Sequence, residues 1–151
     1  MSKLLALGDS FTYGQELADR QNCWAQLVAN QFGLELDNQA IPGGSNQRAM
    51  RMLMMHDLID VSLVCIGWSH FDRSEASDEL GTWDIWPGGK RSKYVEQAPW
   101  RKTLVDYITR HHNDDNLYMH YLSYVVLVQN YLKLCFYDLS ISPLKFQMLH
   151  Y

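Results

Sequence analysis

The chain has 151 residues, of which 47% are hydrophobic and 20% charged, a composition typical of a globular domain. The net charge of −4, without a basic stripe, argues against nucleic acid as the main partner. The chain has neither an apolar run of about 18 residues nor a signal-peptide pattern, and its three cysteines lie far apart. We therefore expect one cytoplasmic domain over residues 1–151 that binds neither nucleic acid nor a membrane.

The first half of the chain alternates strand and helix signals. Residues 61–66 are almost entirely apolar, as expected for a strand whose sheet is covered on both faces. Strands that alternate with amphipathic helices predict a parallel α/β sheet. The predicted elements are strands at 3–7, 34–37 and 61–66 and helices at 23–32 and 47–56, with Gly33 as a C-cap and Ser45 or Asn46 as an N-cap.

Periodicity fades in the middle of the chain. Residues 67–100 predict a long loop, of a length that is commonly functional. The elements predicted beyond it are helices at 100–111 and 114–133 and a fourth strand at 134–139.

A serine follows the end of the first predicted strand. Residues 8–14 read GDSFTYG, and open α/β sheets bind their ligands at the carboxyl ends of strands. A serine nucleophile needs a base within hydrogen-bond reach and donors for the oxyanion. The stretch resembles the first motif block of the SGNH (GDSL-type) hydrolases, with Phe11 in the usual leucine position. The resemblance implies that Ser10 is the nucleophile and that its N–H is one oxyanion donor.

Two further segments resemble blocks of the same family. Residues 40–46, AIPGGSN, resemble the second block, which implies that Gly43, or Gly44 in the other register, donates its N–H to the oxyanion. Residues 66–70, IGWSH, resemble the third block, Gly-x-Asn-Asp, with Ser69 in the asparagine position. A hydroxyl reaches less far than an amide, and loss of one oxyanion donor costs about 2.7–4 kcal/mol.

The family's fourth block, Asp-x-x-His, which carries the general base, has no counterpart here. Gln147 stands three residues before His150, where the motif requires aspartate. The chain is then either a truncated or frameshifted member without its base, or another histidine substitutes. His70 is the nearest candidate by motif position, and a neighbouring subunit is a further source. The motifs that carry the resemblance span residues 1–70.

The resemblance implies a fold and a function. The fold is α/β, a three-layer α/β/α sandwich with a mostly parallel, flavodoxin-like sheet that is incomplete at its C-terminal end. The function is hydrolysis of an ester, such as a carbohydrate O-acetyl ester, through an acyl-serine intermediate and without a cofactor. The alternative is a catalytically silent binding or assembly module, as a homo-oligomer or with a partner protein. The short form resembles bacterial or phage-encoded members, and for a phage-encoded chain virion association is the alternative to a cytoplasmic location.

Other side chains allow two interpretations each. The three tryptophans Trp83, Trp86 and Trp100 flank the predicted loop and either stack on sugar rings or pack the loop onto the body. Arg73 is either paired or meets an anionic substrate group, and Asp9 is expected to support the turn before Ser10.

A group of histidines and aspartates lies near residue 113. These residues lack a recognised metal-ligand spacing, and a basic helix end followed by an acidic, capped helix start explains them better, so no metal is expected. The group comprises His111, His112, Asp114, Asp115 and His120, with Asn113 or Asp114 as the cap.

Overall fold

Three parallel strands form the central sheet, in the order β2-β1-β3. The computed structural model describes residues 2–79, 81–86, 98–110 and 113–138. The strands of this sheet are β1 (Lys3–Gly8), β2 (Glu35–Asn38) and β3 (Val61–Gly67), and an antiparallel hairpin is formed by β4 (Ser74–Asp78) and β5 (Gly81–Ile85). The helices are α1 (Ser10–Tyr13), α2 (Trp24–Phe32), α3 (Asn46–Met55), α4 (Pro99–Arg110) and α5 (Asp114–Asp138), with a 3₁₀ turn at Arg20–Asn22.

Helices cover both faces of the central sheet. Successive side chains of a strand point to opposite faces, so the apolar run of β1 contributes to two cores. On one face, Leu4 and Ala6 share a core with Ala25 and Ala29 of α2. The other face packs against α3 and α5, and its core consists of Leu5, Leu7, Ala49, Leu53, Leu58, Val61, Val64, Ile66, Val128 and Leu132. The chain is therefore a mixed α/β protein with helices on either side of a parallel sheet.

Helix ends coincide with residues that the sequence predicts as caps. Ser45 Oγ accepts the Arg48 N–H at 3.2 Å at the start of α3. Helix α2 ends at Gly33, which has a φ of 64°. Asn113 Oδ1 accepts the Asn116 N–H at 3.0 Å and caps α5. Local hydrogen bonding therefore sets these boundaries, as the sequence predicts.

Two predicted elements differ from the structure. The predicted loop over 67–100 contains the β4–β5 hairpin. The strands of this hairpin are rich in polar residues, so their sequence pattern did not predict strands. The predicted strand over 134–139 is helical as far as Asp138, because α5 continues through this apolar run. A short apolar run does not by itself distinguish a strand from a buried helix. Residues 139–151, with the histidine near the terminus, lie outside the described part.

The hairpin contacts α3 on one side and α4 on the other. The Arg51 guanidinium of α3 donates to both carboxylate oxygens of Glu75, with Nε–Oε2 at 2.9 Å and Nη2–Oε1 at 2.6 Å. Toward α4, Trp83 and Ile85 share a small core with Val105. The hairpin is therefore joined to the body by side chains rather than by strand pairing with the central sheet.

Candidate active site

Ser10 stands at the carboxyl end of β1 as the first residue of α1. The chain turns here because Asp9 caps the helix, its Oδ1 accepting the Phe11 N–H at 3.0 Å. Ser10 is half-buried, and among the described residues neither its hydroxyl nor its N–H has a hydrogen-bond partner. The protein's own hydrogen bonds therefore leave both groups of Ser10 unpaired at this edge of the sheet.

Two glycines at neighbouring strand ends make room for α1. Gly8 of β1 pairs in register with Gly67 of β3, and a Cβ atom on either would overlap the Thr12 side chain. Thr12 is buried above them, and its carbonyl accepts the Asn38 Nδ2–H at 3.0 Å from the end of β2. The helix that begins with Ser10 thus lies over the ends of all three strands and contacts the last residue of each.

The chain after β2 makes a tight turn beside the same strand end. The Ile41 N–H donates to the Gly8 carbonyl at 3.3 Å, and the Gly44 N–H donates to the Ile41 carbonyl at 3.1 Å. Pro42 and Gly43 are the central residues, and the Gly43 φ of 79° is what a type II turn requires at its third position. No described residue accepts a hydrogen bond from the Gly43 N–H.

Ser69 supports this turn from the end of β3. Its Oγ donates to the Gly44 carbonyl at 2.5 Å. The buried Asn46 side chain accepts the Ser69 N–H at 2.7 Å and donates to the Ser69 carbonyl at 2.9 Å. A hydroxyl has a single hydrogen to donate, so the expected oxyanion donor at Ser69 does not match this geometry. Ser69 instead fixes the position of the turn that contains Gly43.

Strand β5 contributes a second support to the turn. Asp84 Oδ1 accepts the Ser45 N–H at 2.8 Å. Burial raises the pKa of Asp84, and the hydrogen bonds from Ser45 and the charge of Arg48 partly oppose that shift. The carboxylate thus holds the start of α3 to the hairpin. Sequence reasoning missed this role because it treated the segment as a loop, although Trp83 and Ile85 alternate with polar residues as in a strand.

The three tryptophans predicted to flank a loop lie in different environments. Trp86 lies against Gly43, with ring carbons 3.5–4.0 Å from where a Cβ would stand. Trp83 is buried, and its ring meets the guanidinium of Arg101 and the edge of the half-exposed Trp100. Trp83 therefore packs the hairpin onto α4, whereas Trp86 forms a wall beside the candidate oxyanion glycine.

The segment after β3 is tied to the residue that precedes Ser10. Arg73 Nη1 lies 2.8 Å from Asp9 Oδ2, and the Arg73 N–H donates to the His70 carbonyl at 3.2 Å to close a turn. Arg73 is thus paired within the protein. The buried Asp9 carboxylate is occupied by the helix cap and by this ion pair. It supports the turn before Ser10, as the sequence predicts.

His70 lies at the same end of the sheet as Ser10 but is not bonded to it. Its imidazole is 59% exposed and stacks on the neighbouring Phe71 at a centroid distance of 4.3 Å. Its Nδ1 is 2.8 Å from Asp72 Oδ1. No hydrogen bond joins His70 to Ser10 within the residues described, whereas a nucleophile and its base must come into hydrogen-bond reach during reaction.

A metal centre has no support in the described part of the chain. Among those residues, no group of three or more His, Cys, Asp or Glu side chains could hold a metal ion. His111 and His112 lie outside the described residues, and Asn113 caps α5 as described above. The acidic first turn of this helix, Asp114 and Asp115, suits the positive end of the helix dipole.

No protein-family model and no curated protein matches the chain. Among the described residues, none of the helices combines the length and the apolar character needed to cross a membrane. The fold and the candidate site therefore define an α/β protein with a serine, a glycine turn and a histidine at one edge of its parallel sheet.

Proposed function

We propose that this chain is a serine hydrolase domain of the SGNH type that cleaves an ester. One observation carries the proposal: among the described residues the N–H groups of Ser10 and Gly43 have no acceptor, Ser10 comes two residues after Gly8 at the end of β1, and the turn of Gly43 is hydrogen-bonded to Gly8 through Ile41. The strand order β2-β1-β3 agrees with the start of a flavodoxin-like sheet, in which ligands bind at the strand ends that carry these turns.

Two backbone N–H groups supply the oxyanion site in this proposal. The N–H groups of Ser10 and Gly43 belong to rigid turns, so they are oriented before a substrate arrives, which is the condition for electrostatic stabilisation of a developing charge. Ser69 and Asp84 act on the Gly43 donor indirectly, by fixing the carbonyl of Gly44 and the N–H of Ser45.

The reaction proceeds in two balanced halves. The Ser10 Oγ attacks the ester carbonyl carbon, the imidazole of His70 takes the hydroxyl proton, and the carbonyl oxygen becomes the oxyanion. The oxyanion collapses, the bond to the alcohol oxygen breaks, and the imidazolium returns the proton to that oxygen. Water then attacks the acyl-serine in the same way and releases a carboxylic acid, and Ser10 recovers its proton.

Trp86 favours a carbohydrate ester as substrate. Its indole borders Gly43 and is half-buried, so an apolar ring face is available beside the proposed oxyanion site. Sugar rings present C–H groups to such faces, and an O-acetyl group on the sugar would then reach Ser10. In this proposal the sugar binds on the hairpin side of the site.

A catalytically silent binding or assembly module is the second candidate. The exposed His70 makes no hydrogen bond to Ser10 within the described residues, and the Ser69 hydroxyl is engaged by Gly44. Both features would suit a fold that binds a ligand at the sheet edge without cleaving it.

Labelling with a fluorophosphonate probe distinguishes the two candidates. Such probes react with serines that a working site has activated. We expect one adduct by intact mass on the wild-type chain, none on Ser10→Ala, and an unchanged adduct on Ser123→Ala. Ser123 is a suitable control because its hydroxyl is exposed on α5 and donates to the Met119 carbonyl. No adduct on folded wild-type protein, checked by circular dichroism, would favour the silent module.

A further inference from the structure

Helix α5 has apolar side chains on two opposite faces. Val128 and Leu132 on one face belong to the core that lies against the central sheet. On the opposite face, Met119 is 60% exposed and Val126 is 54% exposed. A helix that is apolar on opposite faces normally has both of them covered, because apolar side chains gain free energy by leaving water. The outer face of α5 is therefore a candidate interaction surface.

Side chains of this outer face form one row with the spacing of a coiled-coil seam. Met119, Leu122 and Val126 are three and four positions apart, and Leu122 is half-buried. The same spacing reaches Asp115, four positions before Met119, and Lys133, seven positions after Val126. These five residues, which we name the α5 row, extend over about 27 Å of the helix. The row is thus apolar in its middle and charged at its two ends.

The charges at the two ends of the α5 row are opposite. Lys133 follows Asp115 by eighteen residues, which is five turns of an α-helix, so both side chains start from the same side of it. Both are exposed, and neither has a hydrogen-bond or ion-pair partner within the described part of the chain. A second α5 row that runs antiparallel to the first would pair each aspartate with a lysine, whereas a parallel one would put like charges together. The row is therefore complementary to an antiparallel copy of itself.

We propose that the α5 row is the interface at which two copies of this chain form an antiparallel dimer. A two-fold axis through the middle of the row puts Leu122 of one copy against Val126 of the other. The same axis puts Asp115 of each copy against Lys133 of the other, which gives two ion pairs. The interface is isologous, since both copies use the same residues. This inference does not depend on the proposed hydrolase function.

Analytical ultracentrifugation of the full chain tests the apolar part of the interface. We expect a dimer in the micromolar range, and Val126→Glu should weaken dimerisation by at least about hundredfold, because it buries an unpaired charge from each copy. The matched control is Leu27→Glu on α2, since Leu27 is exposed to the same 54% but lies outside the α5 row. It should dimerise as the wild type does. A wild type that is monomeric at about 100 μM, or a Val126→Glu variant as dimeric as Leu27→Glu, overturns the proposal.

Charge reversal tests the antiparallel pairing. Asp115→Lys and Lys133→Asp should each weaken self-association by about tenfold or more, because each puts two like-charged pairs into the dimer. An equimolar mixture of the two variants restores opposite charges at both ends, so we expect a mixed dimer close to wild-type affinity. A variant that merely unfolds would not recover on mixing, and circular dichroism checks that both variants are folded. Folded variants whose mixture associates no better than either variant alone overturn the antiparallel interface.

Discussion

Arg73 reaches from the turn after β3 to Asp9, and its Nη1 lies 2.8 Å from a carboxylate oxygen of that residue. The other oxygen of Asp9 caps the helix that begins with Ser10. One carboxylate thus connects the serine turn to the histidine turn, in addition to the pairing of β1 with β3 that precedes both turns.

Replacing Arg73 by methionine should damage both stability and reactivity. The Asp9 side chain is only 9% exposed and would lose its cationic partner, so we expect the free energy of unfolding to fall by about 2 kcal/mol. Urea denaturation measures the loss, and Ser10 labelling should slow because the histidine turn is released. Asp9→Asn in the same background should recover part of the stability, since it removes the unpaired charge. Additive losses in the double variant would contradict the pairing.

Asp84 should make stability depend on pH. Burial raises the pKa of Asp84, and the negative charge of Glu75 raises it further. The hydrogen bonds from Ser45 and the positive charge of Arg48 oppose part of this shift. The folded state then binds more protons than the unfolded chain between about pH 4 and the raised pKa, so the free energy of unfolding falls as pH rises through that window.

The variant Asp84→Asn tests this dependence. The amide oxygen of asparagine can still accept the Ser45 N–H, but it does not titrate. We expect the variant to gain stability relative to the wild type as the pH rises from about 4 to 7, in urea unfolding at several pH values. A constant difference between the two proteins over that range would contradict the raised pKa.

Adjacent residues of α4 provide a matched pair for testing burial of charge. Arg101 and Asp78 form an ion pair with side chains 2% and 8% exposed, whereas the exposed Lys102 pairs with Asp106 on the helix surface. We expect Arg101→Met to lower the free energy of unfolding by about 3 kcal/mol, because it removes a buried cation that pairs with the mostly buried Asp78 carboxylate. Lys102→Met should change stability by less than about 1 kcal/mol. Equal losses in the two variants, measured by urea denaturation, would contradict the role of burial.

The central sheet and its covering helices are predictable because their signals are local. The apolar runs of β1 and β3 and the caps at Gly33 and Ser45 each require only nearby residues to be interpreted. Ser10 and Gly43 were singled out because residues 8–14 and 40–46 resemble motif blocks, which are likewise short local patterns. The parallel order of the strands then brings the two residues to one edge.

The hairpin and the contacts that it makes depend on distant residues. Glu75 and Asp84 are polar residues that normally weaken a strand prediction, and their partners Arg51 and Ser45 lie 24 and 39 positions away. The hydrogen bond of the Ser69 hydroxyl was not predicted for the same reason, because its acceptor is the carbonyl of Gly44, 25 positions away. Contacts across such separations follow from the fold and leave no local pattern.

The separate ladder of the β4–β5 hairpin has a consequence for local opening. Its backbone bonds close on themselves, so the hairpin can detach by breaking side-chain contacts such as Arg51–Glu75 while the three-stranded sheet stays intact. Such an excursion would withdraw Trp86 from Gly43 and Asp84 from Ser45 together. We therefore expect access to the turn that contains Gly43 and the order within that turn to change together, with the hairpin amides exchanging faster than those of the central sheet.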